Sequence, residues 1–439
     1  MGRTTIVKIL SKIQNYHFVT LVAWFSRGMQ ALLQVMILSI ISQLLGVDDY
    51  TVYILITSLL CWFLLTDLGL GFSLQNKISS LKSRGKSYKE FIATILFIGL
   101  ILIIIFGVLT WIVSNSLASY YLSNFSIDSD YTQIFFISVL LMICVGVFSM
   151  VYKIWYALEK GYWSSIVPAI SVLISYLFLL WLQKNEEQSL EIILLAYFGP
   201  LAFMPMVFYA YFLFKLRSKI SFKNIDIEII LKKSKEFLFF GLMALLVLNV
   251  DFFIASQVLS SEEVIQYHIL LKIFSLALFI YSAFLMAIWP VLSEKISSKE
   301  NYHVIEGMVR KSLPVGMLFM IIFTGFIVVF GEYIYRYLIR NIEVNISPVL
   351  VVIFGLYFLI RVWTDTFTMI LQAGNNLKPL LTIVPIQAFV SVSLQIFLSM
   401  KYGVYGLLMG LIISFLCTVF WYLPYSSHQF LKVNSKDEL

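Results

Sequence analysis

Stretches of about 20 or more predominantly apolar residues recur along almost the whole chain. They fall at approximately 17–43, 51–74, 91–114, 131–152, 163–182, 192–214, 237–259, 266–291, 312–331, 348–371, 379–399 and 403–424. A hydrocarbon core about 30 Å thick is crossed by a helix of about 20 such residues, so the pattern predicts twelve transmembrane helices. Helices are required because backbone N–H and C=O groups find no water inside the bilayer. Composition agrees: 60% of the 439 residues are hydrophobic and 13% charged, whereas soluble proteins average about 45–50% apolar and about 25% charged. A soluble fold is excluded, and what twelve helices leave over is shared among short loops with no room for an extramembrane domain.

The net charge of +7 would suggest nucleic acid in a soluble protein. Its distribution says otherwise. With a cytoplasmic N-terminus, 24 basic residues fall on the cytoplasmic side, densest at 77–89 and 215–235, and only Lys184, Arg336, Arg340 and Lys401 on the other. The outer loops carry acidic pairs instead: Asp48 with Asp49, Asp128 with Asp130, Glu186 with Glu187, Glu262 with Glu263. This asymmetry places both termini in the cytoplasm. Anionic lipid headgroups account for the basic loops, so no nucleic-acid partner is expected. Arg3, Lys8 and Lys12 precede an apolar stretch too long for a signal peptide, which predicts an uncleaved first helix. The terminal Lys436-Asp437-Glu438-Leu439 spells a retrieval signal that is read on the lumenal side, where a cytoplasmic tail cannot present it.

Signatures of chemistry are sparse. Cys61, Cys144 and Cys417 are far apart inside apolar runs and are expected to be buried thiols, with neither a disulfide nor a metal. His17, His268, His303 and His428 form no metal-binding pattern, and no phosphate loop is present, so neither cofactor nor ATP hydrolysis is expected. Asp128-Ser129-Asp130 has the form some glycosyltransferases use for a metal, but those enzymes usually carry longer outer loops. The chain is read as a non-enzyme.

The two halves resemble each other. Gly28 with Ala31-Leu32-Leu33 recurs as Gly241 with Ala244-Leu245-Leu246, and Ser42-Gln43, Asp48-Asp49 and Tyr53 recur as Ser256-Gln257, Glu262-Glu263 and Tyr267. Lys77-Ile78-Ser79-Ser80 matches Lys295-Ile296-Ser297-Ser298, and Ile166-Val167-Pro168 matches Ile383-Val384-Pro385. Ordered matches at an offset near half the chain predict two lobes of six helices, 1–214 and 237–439. Six is even, so both lobes share one orientation and frame a substrate cavity. Residues 215–236, with isoleucines set among lysines, read as an amphipathic cytoplasmic connector.

Six charges fall within the spans: Arg27, Asp67, Asp251, Lys272, Arg361 and Asp365. Each costs at least about 2.5 kcal/mol at mid-membrane, so each should face protein or a wet cavity. Arg361 and Asp365 are four residues apart and suit an ion pair along one helix face. Arg27 has no acidic residue at helical spacing, and its planar fork suits a phosphate. Asp67 is either a surface carboxylate or a functional one. Asp251 and Lys272 either neutralise each other or form a proton or cation site.

Twelve spans in two parallel halves, Asp67-Leu68-Gly69-Leu70-Gly71 before a basic loop, Trp289-Pro290, and Gln372-Ala373-Gly374 with Lys378-Pro379 resemble the Wzx-type polysaccharide flippases. These belong to the multidrug/oligosaccharidyl-lipid/polysaccharide exporter superfamily. The resemblance implies an all-α membrane protein with two six-helix lobes around a central cavity, V-shaped like the multidrug and toxic compound extruders. It implies translocation of polyprenyl-pyrophosphate-linked oligosaccharide units to the outer leaflet of the bacterial inner membrane by alternating access, for O-antigen or capsule assembly. Implied partners are that substrate, membrane lipids, a polysaccharide polymerase and a chain-length regulator. Arg27, Lys272 and Arg361 become candidates for the pyrophosphate. Asp251, Asp365 and Asp67 become candidates for sugar hydroxyls or for coupling H+ or Na+. A cation-coupled exporter of small amphipathic compounds is the alternative.

Overall fold

The computed structural model describes residues 3–125, 131–185, 189–220, 227–297, 302–342 and 344–434. Asp128 and Asp130, Glu186 and Glu187, the terminal Lys436–Leu439, and residues 221–226 of the connector lie outside them. Among the described residues there is no β-strand. In chain order the helices are α1 (Arg3–Leu44), α2 (Val47–Ser58), α3 (Leu60–Phe63), α4 (Leu70–Ser83), α5 (Lys89–Leu122) and α6 (Tyr131–Phe148). They continue as α7 (Met150–Ala157), α8 (Trp163–Lys184), α9 (Leu190–Leu216), α10 (Ile227–Leu248) and α11 (Asp251–Val258). The last are α12 (Ser261–Ser297), α13 (Tyr302–Leu338), α14 (Pro348–Ala373), α15 (Lys378–Cys417) and α16 (Val419–Asn434).

Among the described residues nine helical stretches are long and apolar enough to cross a bilayer, and the bent pair formed by the end of α10 and α11 makes ten. The expected twelve is not reached by this measure, for two physical reasons. The window at 51–74 is interrupted: left-handed Leu68 and Gly69, with φ of 52° and 75°, separate α3 from α4. The windows at 379–399 and 403–424 belong to one helical run, Lys378–Val433, of 56 residues. That is long enough for two crossings. It turns at Gly403, whose φ of 55° and ψ of −135° are not helical.

The chain divides into two compact units. The first comprises Met1–Leu242 with Leu338–Ile342, and the second Met243–Tyr337 with Glu343–Leu439. Inside the first, Leu74, Leu96, Val147, Met150 and Ile154 build a core between α4, α5, α6 and α7. Tyr209 of α9 reaches into it and donates its hydroxyl to the Leu96 carbonyl. Gly99, one turn on, has no room for a side chain beside that hydroxyl. Inside the second unit, Phe274 of α12 packs on Phe358 of α14 with ring centroids 5.5 Å apart.

One detail repeats between the units. α7 ends with left-handed Glu159 (φ 62°), while Lys160 N–H bonds the Trp155 carbonyl at 2.8 Å and Glu159 N–H the Tyr156 carbonyl at 3.1 Å. α14 ends with left-handed Asn375 (φ 54°), Asn376 N–H on Leu371 O at 2.8 Å and Asn375 N–H on Gln372 O at 3.0 Å. Both are Schellman caps, which satisfy the last carbonyls of a helix.

The cysteines differ from expectation. Cys61 and Cys417 are exposed on the chain and Cys144 is half-buried. An apolar run in a membrane helix faces lipid on one side and protein on the other, so a cysteine in it need not point inward.

Candidate functional site

In the first unit Asp67 is buried, and its carboxylate is used locally. Oδ1 accepts the Gly69 N–H at 2.8 Å and Oδ2 the Gly71 N–H at 3.0 Å, at the start of α4. An ionised acceptor at a helix N-terminus satisfies orphan donors and meets the positive end of the dipole. The Lys153 ammonium stands 3.8 Å from the centre of the Phe72 ring and within electrostatic reach of Asp67. Arg27 is exposed on α1. The neighbouring Ser26 is buried and helps line a cavity of about 500 Å³ with Phe25, Met29, Ile166 and Ala169.

In the second unit four charges singled out from the sequence lie on α11, α12 and α14 among tyrosines. Asp251, buried, begins α11, and its Oδ2 accepts the hydroxyl of buried Tyr267 on α12. Its Oδ1 has no hydrogen-bond partner. Tyr357 of α14 stands within electrostatic reach of Asp251, Arg361 and Asp365. Arg361 donates to the Tyr357 hydroxyl at 3.4 Å and to Asp365 Oδ2 at 3.3 Å, so the spacing of four residues closes the expected ion pair. Asp365 in turn lies near Tyr281 of α12, whose hydroxyl shares a hydrogen bond of 2.6 Å with Thr366. Lys272 is half-buried, close to buried His268, whose Nδ1 also has no hydrogen-bond partner.

Two groups of residues escaped the sequence reading. Tyr267 and Tyr357 count as apolar in any hydropathy window, so nothing marked them as partners of charges. On α15, Gln387, Ser391, Gln395 and Ser399 form a buried uncharged polar stripe at four-residue spacing. Gln395 donates to Ser391 at 2.8 Å, while Gln387 Nε2 and Gln395 Oε1 have no partner. The signal existed, since a polar residue every fourth position in an apolar helix marks one inward face. A double-mutant cycle of Arg361→Gln and Asp365→Asn is expected to give a coupling of about 0.5–2 kcal/mol, as polar pairs inside membrane proteins do. SDS titration of the purified protein measures it. Among the described residues no group of histidine, cysteine and carboxylate side chains is arranged to hold a metal ion.

Comparison with known proteins places the chain and its fold. No protein-family model matches the chain. A protein of Salmonella typhi that carries the name O-antigen transporter is 36% identical over 419 residues, covering 94% of this chain and 96% of that one. A Yersinia pseudotuberculosis protein that carries the name O-antigen export protein is 32% identical over 426 residues, 94% of this chain and 96% of that one. Among solved structures, a MATE-family multidrug transporter of the MOP superfamily, facing inward, matches with a TM-score of 0.71 at 12% identity, covering 94% of this chain and 99% of that one. The lipid II flippase MurJ in an inward closed conformation matches at 0.67 and 15% identity, covering 95% and 90%. The structural likenesses establish the fold. The identities, held over nearly full length, show that the chain belongs to the family of the O-antigen transporters and export proteins.

Proposed function

We propose that this protein is the flippase for a polyprenyl-pyrophosphate-linked O-antigen repeat unit, carrying it from the cytoplasmic to the outer leaflet of the bacterial inner membrane by alternating access. Full-length relationship to proteins named O-antigen transporters carries this reading. Physics is consistent with it, because a glycan and diphosphate meet a prohibitive barrier in hydrocarbon unless protein supplies polar groups along the route. Both termini face the cytoplasm, on the strength of the basic-residue asymmetry. The chain acts as two lobes, set by the sequence repeat at 1–214 and 237–439 with 215–236 between them, although the compact units change over within α10 at Leu242–Met243; it performs no catalysis, and works beside a polysaccharide polymerase and a chain-length regulator.

Within this reading Arg27, exposed on α1 with a planar fork suited to phosphate, takes the pyrophosphate, and Arg361 contributes from its place beside Asp365 and Tyr357. Lys272 is the third cation. Asp251, with one carboxylate oxygen unbonded inside the second unit, is the coupling carboxylate for H+ or Na+. Asp365 supports Arg361, and Asp67 holds backbone. Export of small amphipathic compounds is the weaker reading, since the MATE likeness shows fold alone.

Deletion of the gene should abolish long-chain surface polysaccharide on a gel, and the wild-type gene should restore it. Unaltered polysaccharide after deletion, with drug sensitivity instead, would favour the exporter. Arg27→Ala is expected to lower transport about 10- to 100-fold at normal expression, the worth of one charge-assisted hydrogen bond. Wild-type transport by that variant would remove Arg27 from the site.

A further inference from the structure

Four close contacts hold the middle of α10, from Ser234 to Gly241, against the interruption in the second membrane segment, all within the first unit. The hydroxyls of Ser73 and Ser234 share a buried hydrogen bond of 2.8 Å. Phe72 stacks on Phe237 with ring centroids 5.4 Å apart and planes 24° off parallel. Gly69 lies so near α10 that an added Cβ would stand 2.6 Å from the Ser234 carbonyl oxygen and 3.1 Å from Phe237 Cβ. At Gly241, two turns further along, a Cβ would stand 2.9 Å from the Leu65 side chain. Gly69 is also left-handed (φ 75°), so a side chain there fails on conformation as well as on space.

The conspicuous Asp67–Gly71 motif is thus a seat. Asp67 holds the turn from beneath through two backbone N–H groups, Gly69 leaves room above for α10, and Gly71 leaves room for the Asp67 carboxylate and for Lys153 of α7. The seated helix has an unusual position in the chain. It runs unbroken from Ile227 to Leu248, yet its residues through Leu242 group with the first unit and those from Met243 with the second. It then turns by 44° into α11, whose first residue is Asp251.

We infer that the Asp67–Gly71 turn is a permanent seat that clamps the Ser234–Gly241 stretch of α10 within the first unit throughout the transport cycle, so that motion of the second unit is taken up between Met243 and Val250. This inference rests on the transport reading above. Ser73, Ser234 and Gly69 of the seat are buried, the two hydroxyls bond each other and the fit is to a glycine backbone, so opening it would break those contacts together. The 249–250 break already interrupts the helical ladder, where bending breaks few bonds. Its neighbour is Asp251, so the carboxylate assigned to the coupling ion lies where the helix yields.

The test is a reversible clamp on the seat in the full-length protein, expressed in a strain lacking the chromosomal copy. Hydroxyls 2.8 Å apart place Ser73→Cys and Ser234→Cys sulfurs within bridging reach. Because the chain has three native cysteines, PEG-maleimide in SDS adds five tags to the reduced double variant and three to the bridged one. Bridging is expected to cause no loss of surface polysaccharide relative to the same cells under reductant. Loss on bridging that reductant reverses would mean that the seat opens, and overturns the inference. A second variant needs no change at the seat. Asn249→Leu with Val250→Leu, which favours an unbroken helix, is expected to lose surface polysaccharide while keeping the wild-type thermal melt. Wild-type polysaccharide from that variant also overturns the inference. Failure of the wild-type gene itself to restore polysaccharide strikes the transport reading instead.

Discussion

Asp67→Ala is expected to destabilise the protein by about 3–6 kcal/mol, because hydrogen bonds to a charged group contribute about 1.5–3 kcal/mol each and two are lost. The carboxylate is buried, so water does not simply replace it, and the Gly69 and Gly71 N–H groups are left without an acceptor beneath α4. The nearby Lys153 ammonium also loses its countercharge. Asp67→Asn separates these effects. Its amide has one carbonyl oxygen and turns an NH2 toward the other glycine N–H, so about half the loss should remain. SDS titration of the purified protein in bicelles measures both variants. Wild-type stability for Asp67→Ala would mean that the carboxylate serves ligand rather than backbone. Transport should fall in parallel, because the same turn seats α10.

How much of this was written legibly in the chain depended on the type of signal. Membrane segments were legible because hydropathy reports directly on the solvent a helix must tolerate. The window at 91–114 became α5, Lys89–Leu122, because backbone hydrogen bonding continues past the last apolar turn through Ser114, Asn115 and Ser116. The ion pair of Arg361 and Asp365 was legible because both partners lie on one helix at fixed spacing. Asp251 was marked by its cost, but its partner was not. The sequence offered Lys272 on the next helix, and the structure supplies the Tyr267 hydroxyl. Long-range pairing depends on how α11 meets α12, which no local pattern encodes. Asp67 shows the same limit in another form. Its proximity to two glycines was visible, but whether it faced substrate or its own backbone required the left-handed turn at Leu68 and Gly69. The buried glutamines of α15 escaped because an amide carries no charge for a span count to catch.

Gly403→Ala is the second large effect to expect, at about 3–5 kcal/mol. Gly403 turns the 56-residue run back on itself at φ 55° and ψ −135°, a region costing any other residue about 1–3 kcal/mol. A Cβ at this position would collide with the Glu263 carboxylate. That carboxylate accepts the Val404 N–H at 3.1 Å through Oε1 and the Ser260 N–H at 3.1 Å through Oε2. Displacing it adds the loss of a charged hydrogen bond, about 1.5–3 kcal/mol. The returning limb then depends on two more glycines. A Cβ at Gly406 would strike the Leu398 carbonyl, and one at Gly410 would come within 2.7 Å of the Gln395 backbone, so the two limbs meet nearly backbone to backbone. Small residues are what permit such approach between membrane helices, where no hydrophobic force presses them together. Gly46→Ala is the matched control. Gly46 has an ordinary extended conformation and nothing within 4 Å of the added methyl, so its variant should lose no more than about 1 kcal/mol, the preference for glycine over alanine at a helix N-cap. SDS titration that ranks the two variants equally would mean that the turn at Gly403 is not the constraint its geometry describes. The expected ranking, with Gly403→Ala far below Gly46→Ala, would show that one left-handed glycine fixes how the last two membrane crossings pair.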